Sequence, residues 1–81
     1  MRLPRQVGGE QLSRALRVLG YEVTRQTGSH LRLTCTEPAE HHVTIPRHGA
    51  LRVGTLANLL TEIATFHGLT RDQLLSRLFG R

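Results

Sequence analysis

Lysine is absent from this 81-residue sequence, whereas arginine occurs eleven times and acidic residues six times. The resulting formal net charge of +5 favours polyanionic partners, and arginine makes planar, bidentate contacts with phosphate that lysine does not make. A GC-rich coding sequence would also replace lysine by arginine. Charge therefore supports a nucleic-acid partner without establishing one.

Aromatic residues and cysteine are scarce as well. Tryptophan is absent, and one tyrosine and two phenylalanines do not suggest an exposed platform for stacking single-stranded bases. The single cysteine, Cys35, excludes an intramolecular disulfide and is typical of a reducing compartment. No apolar run approaches the roughly 18 residues of a membrane span, and residues 1–5 lack the features of a signal peptide. We expect a cytoplasmic protein without a membrane contact.

The length predicts a single domain over residues 1–81, with residues 1–8 as an N-terminal arm. Helical periodicity begins at Gly9, and Gly20 is suited to end the helix in a left-handed conformation. The apolar stripe of this helix consists of Leu12, Ala15, Leu16 and Leu19.

Extended segments follow over residues 21–26, 29–36 and 41–45, and we expect Pro46 to end the third strand because proline cannot extend a ladder. The second segment alternates cleanly, which is typical of a strand with one buried face. Leu31, Leu33 and Cys35 point to one side, and His30, Arg32, Thr34 and Thr36 point to the other.

Two further helices are predicted after the strands. We expect Thr55 to cap the first, which Gly68 ends, and the residues Thr70 to Gln73 to form a capping box for the second. Their apolar stripes are Leu56, Leu59, Leu60, Ile63 and Ala64, and then Leu74, Leu75 and Leu78. The order α-β-β-β-α-α predicts an α+β fold in which helices cover one face of a three-stranded antiparallel sheet.

Several motifs along this order resemble one known family. Gly20-Tyr21 is followed by Arg25-Gln26-Thr27-Gly28-Ser29-His30, then by Val43-Thr44-Ile45-Pro46-Arg47-His48, and then by Gly54-Thr55-Leu56. From about Gly9 to Leu78 the chain resembles the HicA toxins of bacterial and archaeal toxin–antitoxin modules.

The resemblance implies a double-stranded-RNA-binding-domain-like (dsRBD-like) fold and a metal-independent endoribonuclease that cleaves mRNA, an mRNA interferase. It implies that His30 of the Gly28-Ser29-His30 motif is the catalytic residue, and that a HicB-type antitoxin covers the active site. The connection over residues 36–41 and the helix end over residues 63–68 depart from the family's usual pattern, and both could affect how the antitoxin fits.

Residue chemistry adds to this expectation. Histidine accepts and donates protons near neutral pH, and the strand alternation places His30 on the open face together with Arg32. Gly28 permits close approach of another backbone. From geometry we infer Arg32 and Arg47 as phosphate contacts, and His48 is a candidate for the second proton-transfer group.

No metal or small-molecule cofactor is expected. His41 and His42 are adjacent on a strand and therefore point to opposite faces. Together with Cys35 and His48 they show no ligand pair with the spacing of a zinc site. Cys35 is interpreted as a small core residue.

Two other functions remain open at this point. A double-stranded-RNA-binding module without catalytic activity would explain the positive charge. Such modules usually carry a cluster of basic residues where the second helix begins, whereas Arg52 is the single basic residue within residues 51–55. A protein-interaction module that serves only as a ligand for its antitoxin would not need the intact Gly28-Ser29-His30 motif. Without the resemblance, His30 would be interpreted as an ordinary polar residue on an exposed strand.

Overall fold

The computed structural model describes residue 3 and residues 6–80. Its elements are α1 (Gly9–Ala15) with a 3₁₀ helix (Leu16–Leu19), β1 (Glu22–Gln26), β2 (His30–Cys35), β3 (His41–Pro46), α2 (Val53–His67) and α3 (Arg71–Phe79). The predicted α-β-β-β-α-α order and the α+β class are thus confirmed. Residues 1, 2, 4 and 5 of the predicted arm lie outside the described residues. Val7 at its end is buried, and its carbonyl accepts a hydrogen bond from the Leu51 N–H at 2.7 Å.

The three strands form one antiparallel sheet in the order β1-β2-β3. In the register of the central pair, Leu31 lies opposite Ile45 and Leu33 opposite Val43, and all four side chains are buried beneath the helices. The helices contribute most of the other core residues through their predicted stripes. These residues are Leu12, Leu16, Leu19, Leu56, Leu60, Ile63, Ala64, Leu74 and Leu75. The opposite face of the sheet is open, as the alternation of β2 predicts.

β1 begins one residue later than predicted, β2 is one residue shorter at each end, and two further predicted boundaries are wrong. Pro46 belongs to β3 and lies opposite His30. Because the Arg47 N–H donates to the Ser29 carbonyl, residue 46 occupies a position of the ladder that needs no N–H toward β2. The second helix begins at Val53, after an extended Arg52 whose side chain makes no capping hydrogen bond. Thr55 therefore lies within the first turn and does not cap the helix.

The predicted helix ends are confirmed. Gly20 and Gly68 both have left-handed backbone angles, with φ of 87° and 67°, a region that residues with a Cβ avoid. Thr70 and Gln73 form the predicted capping box at the start of α3. None of the described helices has the length and apolar character needed to cross a membrane.

A polar cluster ties the sheet to the end of α2. The Tyr21 hydroxyl lies 2.7 Å from His41 Nδ1 and 3.1 Å from His67 Nε2, and His41 Nε2 lies 3.2 Å from a Glu62 carboxylate oxygen. Burial raises the pKa of Tyr21 far above its usual value. Burial, with the neighbouring charge of His41 as a smaller cause, lowers the pKa of His67. These side chains satisfy one another, so the cluster stabilises the fold.

Candidate active site

His30 is the first residue of β2 and leaves a tight turn that Thr27 closes. The Thr27 N–H donates to the His30 carbonyl at 2.9 Å. In return, Thr27 Oγ1 accepts from the His30 N–H at 3.0 Å and from the Ser29 N–H at 3.3 Å. The backbone from which the His30 side chain projects is therefore held on both sides.

The imidazole of His30 is exposed, and one of its nitrogens already has a partner. Nδ1 lies 2.9 Å from Ser29 Oγ, whereas Nε2 contacts no polar group among the described residues. When Nδ1 donates to Ser29, Nε2 is a proton acceptor, and when Ser29 donates, Nε2 carries the proton. The same solvent-facing atom can therefore act as a base or as an acid.

Arg32 lies two residues along β2 on the same open face as His30. At about 3.3 Å per residue, the two side chains leave the strand roughly 7 Å apart. Thr44 of β3 lies opposite Arg32 on one side, and Arg25 of β1 lies opposite it on the other side. The open face next to His30 thus carries two guanidinium groups in one cross-strand row.

Arg25 reaches this face because β1 contains a bulge. Val23 pairs with Leu33 and Arg25 with Arg32, so Thr24 is an extra residue in the ladder. In a regular ladder without the bulge, Thr24 would pair with Arg32 and Arg25 would lie opposite Leu31, on the face that the helices cover. Simple alternation along the sequence does not reveal the bulge, so the sequence alone predicts no role for Arg25.

The next row of side chains on the open face, beyond Arg32, is linked by a chain of hydrogen bonds. Thr24 Oγ1 lies 2.9 Å from Thr34 Oγ1, which lies 2.7 Å from His42 Nδ1, and His42 Nε2 lies 2.7 Å from Glu40. His42 is thus exposed but satisfied on both ring nitrogens. It is four pairing positions from His30 along the sheet, about 13 Å at the usual strand rise, and is too far away to share a substrate atom with it.

Arg47 stabilises the turn before His30 through hydrogen bonds to its backbone carbonyls. Its Nη1 donates to the Thr27 carbonyl at 3.1 Å, and its Nη2 lies 3.5 Å from the Glu10 carboxylate. Its backbone N–H donates to the Ser29 carbonyl at 2.9 Å. The guanidinium therefore links the turn to α1, and the phosphate contact inferred from the sequence stays a prediction.

His48 lies on the loop that joins β3 to α2, close to the start of α1. Its carbonyl accepts from the Gly9 N–H at 2.9 Å, and its exposed side chain borders a shallow cleft together with Glu10 and Gln11. Among the described residues no hydrogen bond joins His48 to His30. A role for His48 in proton transfer also stays a prediction.

Two glycines near the site differ in what surrounds them. A Cβ added to Gly9 would lie 1.9 Å from the Pro46 carbonyl oxygen, whereas a Cβ added to Gly28 would meet nothing within 4 Å. Gly9 therefore lets α1 pack directly against the loop that carries Arg47 and His48. The packing of the chain itself does not require glycine at position 28.

The remaining candidate ligands do not converge. As predicted, His41 and His42 point to opposite faces: His41 contacts Tyr21 and Glu62, whereas His42 is exposed. Cys35 is a buried free thiol in the core. Within residues 3 and 6–80, no three His, Cys, Asp or Glu side chains are grouped so that they could hold a metal ion.

Comparison with known proteins gives one match. The family described as the HicA toxin of bacterial toxin–antitoxin systems matches residues 9–64, a span that contains the His30 turn, the sheet and most of α2. No curated protein and no solved structure gives a significant match.

Proposed function

Because the chain belongs to the HicA toxin family, we propose that it is an endoribonuclease that cleaves mRNA with His30 as its catalytic residue. The observation that carries the proposal is the position of this side chain. Its imidazole lies on the open face of the sheet, where Nδ1 lies next to Ser29 Oγ and Nε2 has no polar partner among the described residues. Membership of a toxin family supports a toxic activity, and the exposure of the His30 imidazole supports its proposed role in proton transfer.

The proposed reaction uses the nucleophile that RNA already carries. His30 Nε2 accepts the proton of a ribose 2′-hydroxyl, and the oxygen attacks the adjacent phosphorus. The bond from phosphorus to the 5′-oxygen breaks, and that oxygen takes up a proton as it leaves. The products are a 2′,3′-cyclic phosphate and a 5′-hydroxyl. A positioned general base or acid contributes about 10²–10⁴-fold in rate, and no metal ion is needed to supply the nucleophile.

Negative charge builds up on the phosphoryl oxygens as the 2′-oxygen attacks. Arg32, which shares the face with His30, is suited to stabilise this charge because fixed cationic donors act most strongly where charge develops. Gly28 leaves space beside the motif for the RNA backbone. Arg47 supports the turn, and His48 is the proposed source of the second proton transfer.

The proposal includes a protein partner. The toxin of a toxin–antitoxin system has a matching antitoxin, and we propose that a HicB-type protein inhibits this chain by covering the exposed His30 face. Such coverage would hide an imidazole that no other part of the described chain shields.

Cleavage of RNA by the purified protein tests the catalytic assignment. We expect His30→Ala to lower the single-turnover rate by about 10²–10⁴-fold, to leave the melting temperature unchanged and to abolish growth arrest on expression. His42→Ala is a matched control, since it removes another exposed histidine of the same face. We expect it to keep its activity.

Three results would distinguish the alternatives. Activity that persists in EDTA supports the metal-independent reaction. Binding of RNA duplexes without cleavage by the wild type would favour a double-stranded-RNA-binding module. Equal cleavage by the wild type and His30→Ala would remove His30 from the mechanism.

A further inference from the structure

We propose that Arg25 and Arg32 together form a phosphate clamp that binds the RNA backbone at the scissile bond. This inference rests on the proposed function and deepens it, because it adds Arg25 as a substrate-positioning residue. The two side chains come from neighbouring strands and lie directly opposite each other on the open face. They occupy the row beside His30, which pairs with Pro46 in the preceding row.

The bulge in β1 is the first observation that supports the clamp. An extra residue in one strand turns the following side chains to the other face, and bulges recur next to active sites where they redirect a side chain. Here the extra Thr24 moves Arg25 away from the covered face, where it would lie opposite Leu31, to the position opposite Arg32. The irregularity thus adds a second cation to the His30 face.

The second observation is that the two charges are not compensated. Like charges directly opposite each other in an antiparallel pair destabilise the sheet. Among the described residues neither guanidinium has a hydrogen-bond or ion-pair partner, whereas Arg47 and Arg71 of the same chain are engaged. A phosphate between Arg25 and Arg32 would remove the repulsion, because two guanidinium groups can share its oxygens through charge-assisted hydrogen bonds.

The position of the pair relative to His30 defines its role. Arg32 lies two residues after His30 in β2, so the Cα atoms of the two residues are about 7 Å apart. The long Arg32 side chain can span this distance, so the phosphate held at Arg25 and Arg32 would be the one that His30 acts on, in agreement with the charge-stabilising role proposed for Arg32. The clamp orients the strand so that one 2′-hydroxyl faces Nε2.

Binding of a short, fluorescently labelled single-stranded RNA tests the clamp independently of cleavage. The measurement uses full-length protein that carries His30→Ala, so that the RNA stays intact. Adding Arg25→Gln is expected to weaken binding about tenfold, as the loss of a charge-assisted hydrogen bond does. It should also reduce the slope of log affinity against log salt by about 0.7, the value for one phosphate contact on single-stranded nucleic acid.

Arg77→Gln is the matched control, because it removes the same charge from the exposed last turn of α3. We expect it to change affinity less than twofold. The melting temperature gives a second readout: Arg25→Gln should leave it unchanged or raise it, since the substitution relieves repulsion, whereas a structural role for Arg25 predicts a lower value.

Equal weakening by Arg25→Gln and Arg77→Gln would overturn the clamp, because it would show that only the net charge matters. An unchanged affinity in Arg25→Gln would overturn it as well. Either outcome leaves the catalytic assignment intact, because that assignment is tested by the cleavage rate of His30→Ala and not by binding.

Discussion

Substitution of Gly9 by alanine should separate α1 from the loop that follows β3. The new methyl carbon would lie 1.9 Å from the Pro46 carbonyl oxygen, 3.0 Å from its carbonyl carbon and 3.2 Å from Arg47 Cα. All three are backbone atoms, so no side-chain rotation relieves the overlap. Because real Cβ atoms essentially never approach other heavy atoms within 3.0 Å, the two backbones must move apart by about 1 Å.

The magnitude follows from what this movement disrupts. Overpacking costs about 1–3 kcal/mol. The hydrogen bonds from Gly9 N–H to the His48 carbonyl and from Leu51 N–H to the Val7 carbonyl are worth about 0.5–1.5 kcal/mol each. Alanine recovers about 1 kcal/mol of helix propensity. The free energy of unfolding should therefore fall by about 1–5 kcal/mol. A loss of about 3 kcal/mol, the middle of this range, lowers the melting temperature by about 12–24 °C in a domain of this size.

Thermal denaturation followed by circular dichroism measures the effect, and Gly54→Ala is the control. A Cβ at Gly54, in the first turn of α2, meets nothing within 4 Å, so alanine there should be neutral or should stabilise the protein by up to about 1 kcal/mol. If Gly9→Ala melts at the wild-type temperature, α1 does not pack against the loop after β3 as closely as the 1.9 Å distance requires.

Three further predictions concern the His30 turn and the polar cluster. Gly28→Ala should keep the wild-type melting temperature but cleave RNA about tenfold more slowly, because the added methyl group meets the substrate and not the protein. An unchanged cleavage rate would show that the RNA backbone does not approach Gly28 closely. Thr27→Val should reduce cleavage because the His30 and Ser29 N–H groups lose their acceptor, whereas Thr27→Ser should retain the rate; equal rates in both variants would contradict this. Since burial lowers the pKa of His67 in the folded state, the unfolded chain binds the proton more readily below about pH 6.5. As the pH is lowered from about 6.5 toward the lowered pKa of His67, the free energy of unfolding, measured in urea, should decrease. His67→Gln, which can still donate to Tyr21, should flatten this dependence.

Regular alternation made the central strand predictable. The period of two along residues 30–35 correctly assigns the buried and exposed faces, because an antiparallel sheet with helices on one face leaves its other face to solvent. The residue type and its position after an apolar stripe predicted Gly20 and Gly68 as helix ends, and predicted a left-handed conformation for Gly20.

The features that were missed depend on contacts between segments. The bulge at Thr24 is defined by the register against β2 and not by any local pattern, so Arg25 was placed on neither face. Pro46 was predicted to lie outside β3 because proline lacks an N–H. The missing N–H matters only where the ladder needs a donor toward the partner strand, and position 46 needs none. The support that Arg47 gives to the turn requires Glu10 and Thr27, which lie 37 and 20 residues away along the chain.

The chemical nature of the RNA fragments tests the central claim most directly. If the His30 imidazole activates the 2′-hydroxyl of the substrate, the wild type should produce fragments that end in a 2′,3′-cyclic phosphate and begin with a 5′-hydroxyl. An RNA with a single 2′-deoxyribose at the cleavage position should stay intact, and His30→Ala should produce neither end. Fragments with a 3′-hydroxyl and a 5′-phosphate, or cleavage of the deoxy-substituted RNA, would contradict the mechanism.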